Sequence, residues 1–198
     1  MGKEVGPTET SEYVKLRDAV ERTELDLNHC DNSDYLPQKK RSHVWMLAEM
    51  GDYFYTQEHF TEALNYYTQA KRLDCDEPSV LNQIGVCLTF LGKIERGLYY
   101  FELLARRANS PEDKALAFFN CAHAHELLNN INDAIVALRK SIKHVPAEDA
   151  INKLDHLKEM NARRAVRSCM HGIFSRSSLP KNDIPTEDAE PTNGVTPQ

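Results

Sequence analysis

The sequence has no apolar run long enough to cross a membrane. Its most apolar window, residues 80–91, is interrupted by Asn82 and Gln83 and contains too few residues to span a bilayer. The first residues lack the apolar stretch of a secretory signal, and Gly6 stands where an N-myristoylation motif has Ser or Thr. We therefore expect no targeting segment, no lipid anchor and no membrane insertion.

Paired cysteines and an excess of positive charge are also lacking. The five cysteines are an odd number without paired spacing, which favours reduced thiols and a cytoplasmic protein. The formal net charge is −6, so no nucleic-acid partner is expected. Only eight of the 198 residues are glycine, and runs of β-branched residues are few, which together favour helices.

Motifs of catalysis and metal binding are absent from the sequence. It contains no phosphate-binding glycine loop, no paired-histidine zinc helix and no nucleophile elbow, so we predict neither an enzyme nor a cofactor. The group Cys121, His123 and His125 has the composition of a metal site. However, residues two apart on a helix point to nearly opposite sides, so His123 cannot join the other two around one ion. We therefore predict no bound metal.

The chain contains an internal repeat, with offsets of 34 and then 37 residues. Two antiparallel helices approach closely only where neither carries a bulky side chain at the crossing. Small residues recur at two positions of each copy: Gly51, Gly85 and Ala122 at the first, and Ala63, Gly97 and Ala134 twelve residues later. We therefore predict three pairs of antiparallel helices, over residues 44–77, 78–111 and 115–148.

Apolar and turn residues follow the same repeat. Turn-forming residues interrupt each copy at 57–59, 92–93 and 129–130, and Ser110 with Pro111 is typical of a helix start. Large apolar residues recur three or four positions apart within each copy, as a buried helical face requires. The repeated apolar positions are Leu47, Leu81 and Phe118, then Met50, Ile84 and Cys121, then Tyr67, Phe101 and Leu138.

This pattern resembles the tetratricopeptide-repeat (TPR) family. The signature residues are the small residues at both crossing positions, an aromatic residue four positions later, Ala70, Ser141 and the closing Pro146. Leu104, Cys75 and Asn109 depart from the family pattern, and its early tryptophan is missing. The resemblance covers residues 44–148. It implies an all-α fold, a TPR helical-repeat solenoid of three helix pairs with an N-terminal helix and a C-terminal capping helix.

The segments that flank the repeats have amphipathic patterns and polar ends. Residues 1–11 are predicted to be flexible, and residues 12–43 to form an N-terminal helix followed by a polar linker, residues 31–42, with Pro37 in it. An apolar stripe predicts a capping helix over residues 149–170, because a solenoid needs its last apolar face covered. Residues 171–198 are too polar to bury a core and are predicted to be a disordered tail.

The TPR resemblance also implies where a ligand binds. In TPR proteins the first helix of each pair lines a concave groove, and the side-chain amides on that face can bond the backbone of an extended peptide. Trp45, the only tryptophan, is expected either to anchor the peptide or to pack on the N-terminal helix. The predicted groove residues are Trp45, Ala48, Asp52, Tyr55, Asn82, Val86, Thr89, Phe119, His123 and Glu126.

One well-known class of TPR ligand is not expected. TPR proteins that capture the C-terminal carboxylate of chaperones resemble one another in a clamp of Lys, Asn and Arg. The matching positions carry no cation, and Asp52 would repel a carboxylate. Those positions hold Ala48, Asp52, Gln83, Leu116 and Asn120.

Three hypotheses for function remain. The leading one is a cytoplasmic, peptide-binding adaptor or chaperone. The architecture is also similar to that of type III secretion translocator chaperones, whose N-terminal helix often serves dimerisation, and this resemblance implies a homodimer through residues 12–29. The third hypothesis is a permanent structural subunit, with the groove filled by another chain or by the N-terminal arm.

Overall fold

Eight helices and no strand make up the part of the chain that the structure describes. The computed structural model describes residues 10–30, 34–73 and 77–176, with side chains as far as Arg167. The helices are α1 (Ser11–Asn28), α2 (Leu36–Thr56), α3 (Phe60–Arg72), α4 (Pro78–Phe90), α5 (Ile94–Arg107), α6 (Pro111–Leu127), α7 (Ile131–His144) and α8 (Glu148–Arg176).

Helices α2 to α7 form three antiparallel pairs, α2–α3, α4–α5 and α6–α7. Three residues connect the two helices of each pair, at 57–59, 91–93 and 128–130, and each pair also packs on the next. The described residues up to Asn161 form one compact unit, whereas the end of α8, from Ala162, belongs to a second unit. The first unit confirms the predicted TPR solenoid of three helix pairs.

The small residues of the repeat lie where paired helices cross. A Cβ atom on Gly51 would come within 2.5 Å of the Tyr67 ring, and one on Gly85 within 2.5 Å of the Phe101 ring. A Cβ atom on Gly97 would lie 2.8 Å from the backbone oxygen of Gly85. These distances are too short for van der Waals contact, so the helix pairs can approach this closely only with small residues at the crossings.

The three predicted turns share one backbone conformation. The φ angle is 62° at Glu58, 72° at Gly92 and 61° at Asn129, and these residues occupy the same position of their repeats. In each turn the next residue donates to the carbonyl five residues earlier, as His59 does to Phe54 at 3.0 Å. This is the pattern of a Schellman helix end, and it confirms the turns predicted within each copy.

The predicted linker over residues 31–42 is wrong from residue 36 onward. Helix α2 begins at Leu36 with Pro37 in its first turn, where the missing N–H has no intrahelical partner to lose. Lys39 donates from Nζ to the backbone oxygen of Asp26 at 3.0 Å, so part of the basic run holds α2 to α1. The linker was predicted because a proline beside three cationic residues is also typical of a linker.

Helix α1 packs on the side of α2 that faces away from Asp52. The ring centres of Tyr13 on α1 and Tyr53 on α2 are 5.8 Å apart, and Thr23 Oγ1 lies 2.9 Å from His43 Nδ1. His43 and Asp52 are nine residues apart, which is two and a half turns, so they point to opposite sides of α2. The described part of the N-terminal arm therefore covers the end of the solenoid and leaves the Asp52 side open.

The apolar stripe of α1 is used in this contact. Tyr13, Leu16 and Val20 are partly buried against the core cluster to which Leu47 and Phe54 belong. The homodimer predicted through this helix stays a prediction. It would need a face of α1 other than this stripe.

Helix α8 covers the apolar face of the third pair, as a capping helix must. Ala150, Leu154 and Leu157 are buried in the same cluster as residues of α6 and α7. The helix runs from Glu148 to Arg176, six residues past the predicted end at 170. The predicted flexible N-terminus, apart from Thr10 and Ser11, and the predicted tail from residue 177 lie outside the described residues.

We predict that Gly97→Ala destabilises the protein. The added methyl would meet Thr89 Oγ1 at 2.6 Å and the Gly85 carbonyl oxygen at 2.8 Å. Thr89 Oγ1 already donates a hydrogen bond to this carbonyl oxygen at 2.9 Å. The clash should outweigh the better helix propensity of alanine and lower the free energy of unfolding by about 1–2 kcal/mol. Urea denaturation measures the change. Arg96→Ala, an exposed neighbour on α5, should shift it by less than about 0.5 kcal/mol, and an unchanged midpoint for Gly97→Ala would refute the close crossing.

We also predict a loss of stability in mild acid that depends on His43. This side chain is 7% exposed, and burial lowers the pKa of its imidazole, an effect that the charge of Glu24 partly opposes. As the pH falls, the imidazole of His43 is therefore protonated in the unfolded chain before it is protonated in the folded one. The contribution of neutral His43 to stability is present above about pH 6.5 and is lost as the pH drops below that value. The free energy of unfolding should fall as the pH is lowered from about 6.5 to about 5.5, and less so in His43→Gln. An equal fall in both proteins would contradict this assignment.

Candidate peptide-binding groove

The ten predicted groove residues lie on α2, α4 and α6, and none of them is buried. Seven of them fall into three groups on these helices. Ala48, Asp52 and Asn82 line one cleft, and Phe119, His123 and Glu126 lie next to α8. Tyr55 belongs to an aromatic group near the C-terminal ends of α2 and α4.

A network of hydrogen bonds joins the first helices of the three pairs. Tyr67 Oη donates to Asp52 Oδ1, and Gln83 Nε2 donates to the same oxygen at 3.3 Å. Asn82 Nδ2 donates to Gln83 Oε1 at 3.5 Å, and Asn120 Nδ2 donates to Asn82 Oδ1 at 2.7 Å. The network runs from α2 through α4 to α6 and orients three side-chain amides on one face.

An open cleft of about 400 Å³ lies beside this network, and we call it the acidic cleft. Its charged lining residues are Asp52, Glu77 and Asp113, and no Lys or Arg is found among the described residues that line it. Burial, and then the hydrogen bond to Asp52, raises the pKa of Tyr67, so its hydroxyl remains a donor. The full lining is Ala48, Asp52, Tyr67, residues 77–80, Asn82, Gln83, Asp113 and Leu116.

A second, smaller cavity of about 270 Å³ has a mostly apolar lining, and we call it the apolar pocket. It lies between α6, the end of α7 and the start of α8. Leu116, which is 44% exposed, lines both this pocket and the acidic cleft. The full lining is Glu112, Ala115, Leu116, Phe119, Ser141, Val145, Ala147, Asp149 and Ala150.

The part of the face next to α8 is electrostatically paired. Lys153 Nζ lies 2.7 Å from the Glu126 carboxylate and 5.8 Å from the centre of the Phe119 ring. His123 Nδ1 is 4.0 Å from the same carboxylate, and burial, and then the charge of Lys153, lowers the pKa of His123. Because Lys153 balances Glu126, this part of the face attracts charged ligands less than the acidic cleft does.

Aromatic residues define the other end of the face. Phe60 and Phe90 stack with their ring centres 4.5 Å apart, and Tyr55 lies 6.2 Å from Phe90.

Trp45 is 61% exposed, so the alternative that it packs on the N-terminal helix is wrong. It precedes Asp52 by seven residues, about two turns, and therefore shares that side of α2.

Three important residues of this face were not among the predicted groove residues. Gln83 and Asn120 occupy equivalent positions of their repeats, and Leu116 occupies the position of Trp45 in the third repeat. Repeat position alone could therefore have identified them. Lys153 could not be found in this way, because α8 lies beyond the last repeat.

The cysteines and histidines of α6 occupy different environments. Cys121 is buried and His123 is exposed, and no group of three possible metal ligands occurs among the described residues.

Burial raises the pKa of both the Cys87 and the Cys121 thiol to about 12; the charges of Asp52 and Glu102, respectively, add to the effect. Neither thiol is available as a nucleophile near neutral pH.

In the described part of the chain, no helix is both long and apolar enough to cross a membrane.

Solved structures with this architecture are TPR domains. The first TPR domain of Spaghetti (RPAP3), bound to the HSP90 peptide SRMEEVD, is 19% identical over 60% of this chain and 93% of that domain, with a TM-score of 0.55. The Sgt2 TPR domain from Aspergillus fumigatus is 18% identical over 74% of this chain and 90% of that domain, also with a TM-score of 0.55. MamA from Desulfovibrio magneticus RS-1, solved from residue 41, is 15% identical over 85% of this chain and 94% of that one, with a TM-score of 0.54.

No model of a protein family and no curated protein sequence matches the chain. The class of protein is therefore defined by its fold. The chain has the TPR fold.

The environments of Cys87 and Cys121 predict that both thiols resist alkylation in the folded protein. Each is less than 5% exposed and is protonated at neutral pH because burial raises its pKa. Treatment with iodoacetamide near pH 7.5, followed by peptide mass spectrometry, should modify both only after denaturant is added, since only the thiolate reacts. Rapid modification of either thiol in the native protein would contradict its burial.

Proposed function

We propose that this chain is a non-enzymatic, cytoplasmic protein-interaction module that binds an extended segment of another polypeptide along α2, α4 and α6. The observation that carries the proposal is the hydrogen-bonded row of Gln83, Asn82 and Asn120. Each amide is only partly buried, and each is oriented by its neighbour. Oriented amides can bond successive backbone groups of an extended peptide, which presents donors and acceptors at regular intervals.

Exposed aromatic and apolar residues on the same side supply binding energy. Trp45 is 61% exposed and Leu116 is 44% exposed, and both belong to one repeat position. Large residues presented on rigid helices are common energetic anchors, because little entropy is lost when they are covered. The described part of α1 packs on the other side of α2, so it does not compete for this surface.

A permanent structural subunit and a chaperone for a secretion translocator are the alternative functions. Both would use the same surface, but they differ in how long it stays occupied. A partner that co-purifies at fixed stoichiometry and does not exchange would favour the structural subunit. A partner that is held only until it is exported would favour the chaperone.

We expect the double variant Trp45→Ala with Phe119→Ala to lose affinity for peptides. Ligands are first selected by the purified wild-type chain from a random peptide library, and affinities are then measured by fluorescence anisotropy. Removal of two anchors should weaken binding at least about tenfold, which corresponds to about 1.4 kcal/mol.

The matched control is Tyr99→Ala with Val136→Ala. These residues are 54% and 49% exposed and lie on α5 and α7, the second helices of their pairs. The control should keep wild-type affinity, and circular dichroism should show both variants folded. If the groove variant is folded and binds the selected peptides as the wild type does, the groove is not the binding site.

A further inference from the structure

We infer that the groove selects a segment in which a Lys or Arg and an aliphatic or aromatic residue are separated by a single residue. This inference rests on the proposed function and specifies its ligand. The basic side chain would enter the acidic cleft, and the apolar side chain would enter the apolar pocket. The two cavities meet at Leu116, which lines both of them.

The acidic cleft is complementary to a cation. Asp52, Glu77 and Asp113 line it, and all the charges in its described lining are negative. Tyr67 and Gln83 both donate to Oδ1 of Asp52, and no described residue donates to Oδ2. The carboxylate is therefore held in a fixed orientation by two donors and still has an oxygen for a ligand. A Lys ammonium or an Arg guanidinium provides the donors that such an oxygen accepts.

Helix dipoles do not cancel the charge of the cleft. Glu77 is the N-cap of α4, and Asp113 lies in the first turn of α6, so each faces the positive end of a helix. Asp52 lies near the C-terminal end of α2, where the dipole adds to its negative charge. Asp52 is therefore the residue that we expect to contribute most to the attraction of a cation.

The apolar pocket is suited to one uncharged side chain. Leu116, Phe119 and Val145 form much of its wall, and its only charged lining residues among those described are Glu112 and Asp149. A second basic residue would lose hydration in such a pocket, whereas an apolar one gains from burial. An acidic side chain would be repelled at both cavities. The carboxylate-rich HSP90 peptide is therefore the opposite of the expected ligand.

The position of Leu116 sets the spacing. The two cavities share Leu116 as a wall residue, so we infer that their occupants are nearest neighbours on one side of the bound peptide. Side chains at alternate positions of an extended chain point to the same side and are about 6.5–7 Å apart. Neighbouring residues would point to opposite sides. The segment should therefore carry its basic and apolar residues two positions apart.

The first test is selection of peptides from a random library, followed by affinity measurements at two salt concentrations. We expect enrichment of a basic residue two positions from an apolar one, and binding that weakens as salt rises. Asp52→Asn with Glu77→Gln should weaken the selected peptides about tenfold at low salt and reduce the salt dependence. Glu62→Gln with Glu95→Gln changes the net charge equally, at exposed positions on α3 and α5, and should leave affinity unchanged.

The second test separates the apolar pocket from the acidic cleft. Leu116→Gln should abolish the preference for an apolar residue while the preference for a basic residue remains. Leu127→Gln is the matched control, because Leu127 is 49% exposed on the same helix and lines neither cavity. Thermal melts followed by circular dichroism identify any variant that fails to fold.

The outcomes distinguish this inference from the proposed function. If the selected peptides are acidic, like SRMEEVD, or uncharged, and lose affinity in the Trp45 and Phe119 double variant, the groove binds peptides but the inferred specificity is wrong. Basic–apolar peptides could instead bind equally well to the wild type, to Trp45→Ala with Phe119→Ala and to Asp52→Asn with Glu77→Gln. That result would contradict both the inference and the proposed function.

Discussion

The structure depends on how closely the two helices of each pair cross. Gly51 meets the ring of Tyr67, Gly85 meets that of Phe101, and neither glycine has space for a methyl group. On α2, Asp52 follows Gly51 directly, and the hydroxyl of Tyr67 orients its carboxylate from the neighbouring helix. The same aromatic residue thus fills the crossing and reaches the candidate groove.

Much of the fold could be predicted from the sequence because repetition makes one local rule visible three times. The small residues at 34- and 37-residue offsets predicted the three pairs, and the turns at Glu58, Gly92 and Asn129 confirm the phase. The start of α2 could not be predicted in this way. Pro37 and its basic neighbours lie outside the repeat, and the hydrogen bond from Lys39 to α1 joins residues that no periodicity connects.

The candidate site was predictable in position but not in character. Repeat position placed Ala48, Asp52 and Asn82 on one surface, and the structure brings them to the same cleft. Whether a surface charge is free or paired depends on residues distant in sequence. Glu126 was predicted as a groove residue, yet Lys153 of α8 pairs with it, and no periodicity connects these two positions. The apolar pocket likewise needs α7 and α8, so it arises only in the folded chain.

A double-mutant cycle on Gly85 and Phe101 tests most directly whether the close crossing sets the structure. The Cβ of an alanine at position 85 would lie 2.5 Å from Cε1 of Phe101, an atom that leucine lacks. If this contact is the constraint, Gly85→Ala should cost at least about 1 kcal/mol less in the Phe101→Leu background than in the wild type. Costs that agree within about 0.3 kcal/mol in the two backgrounds would show that the helices do not meet there.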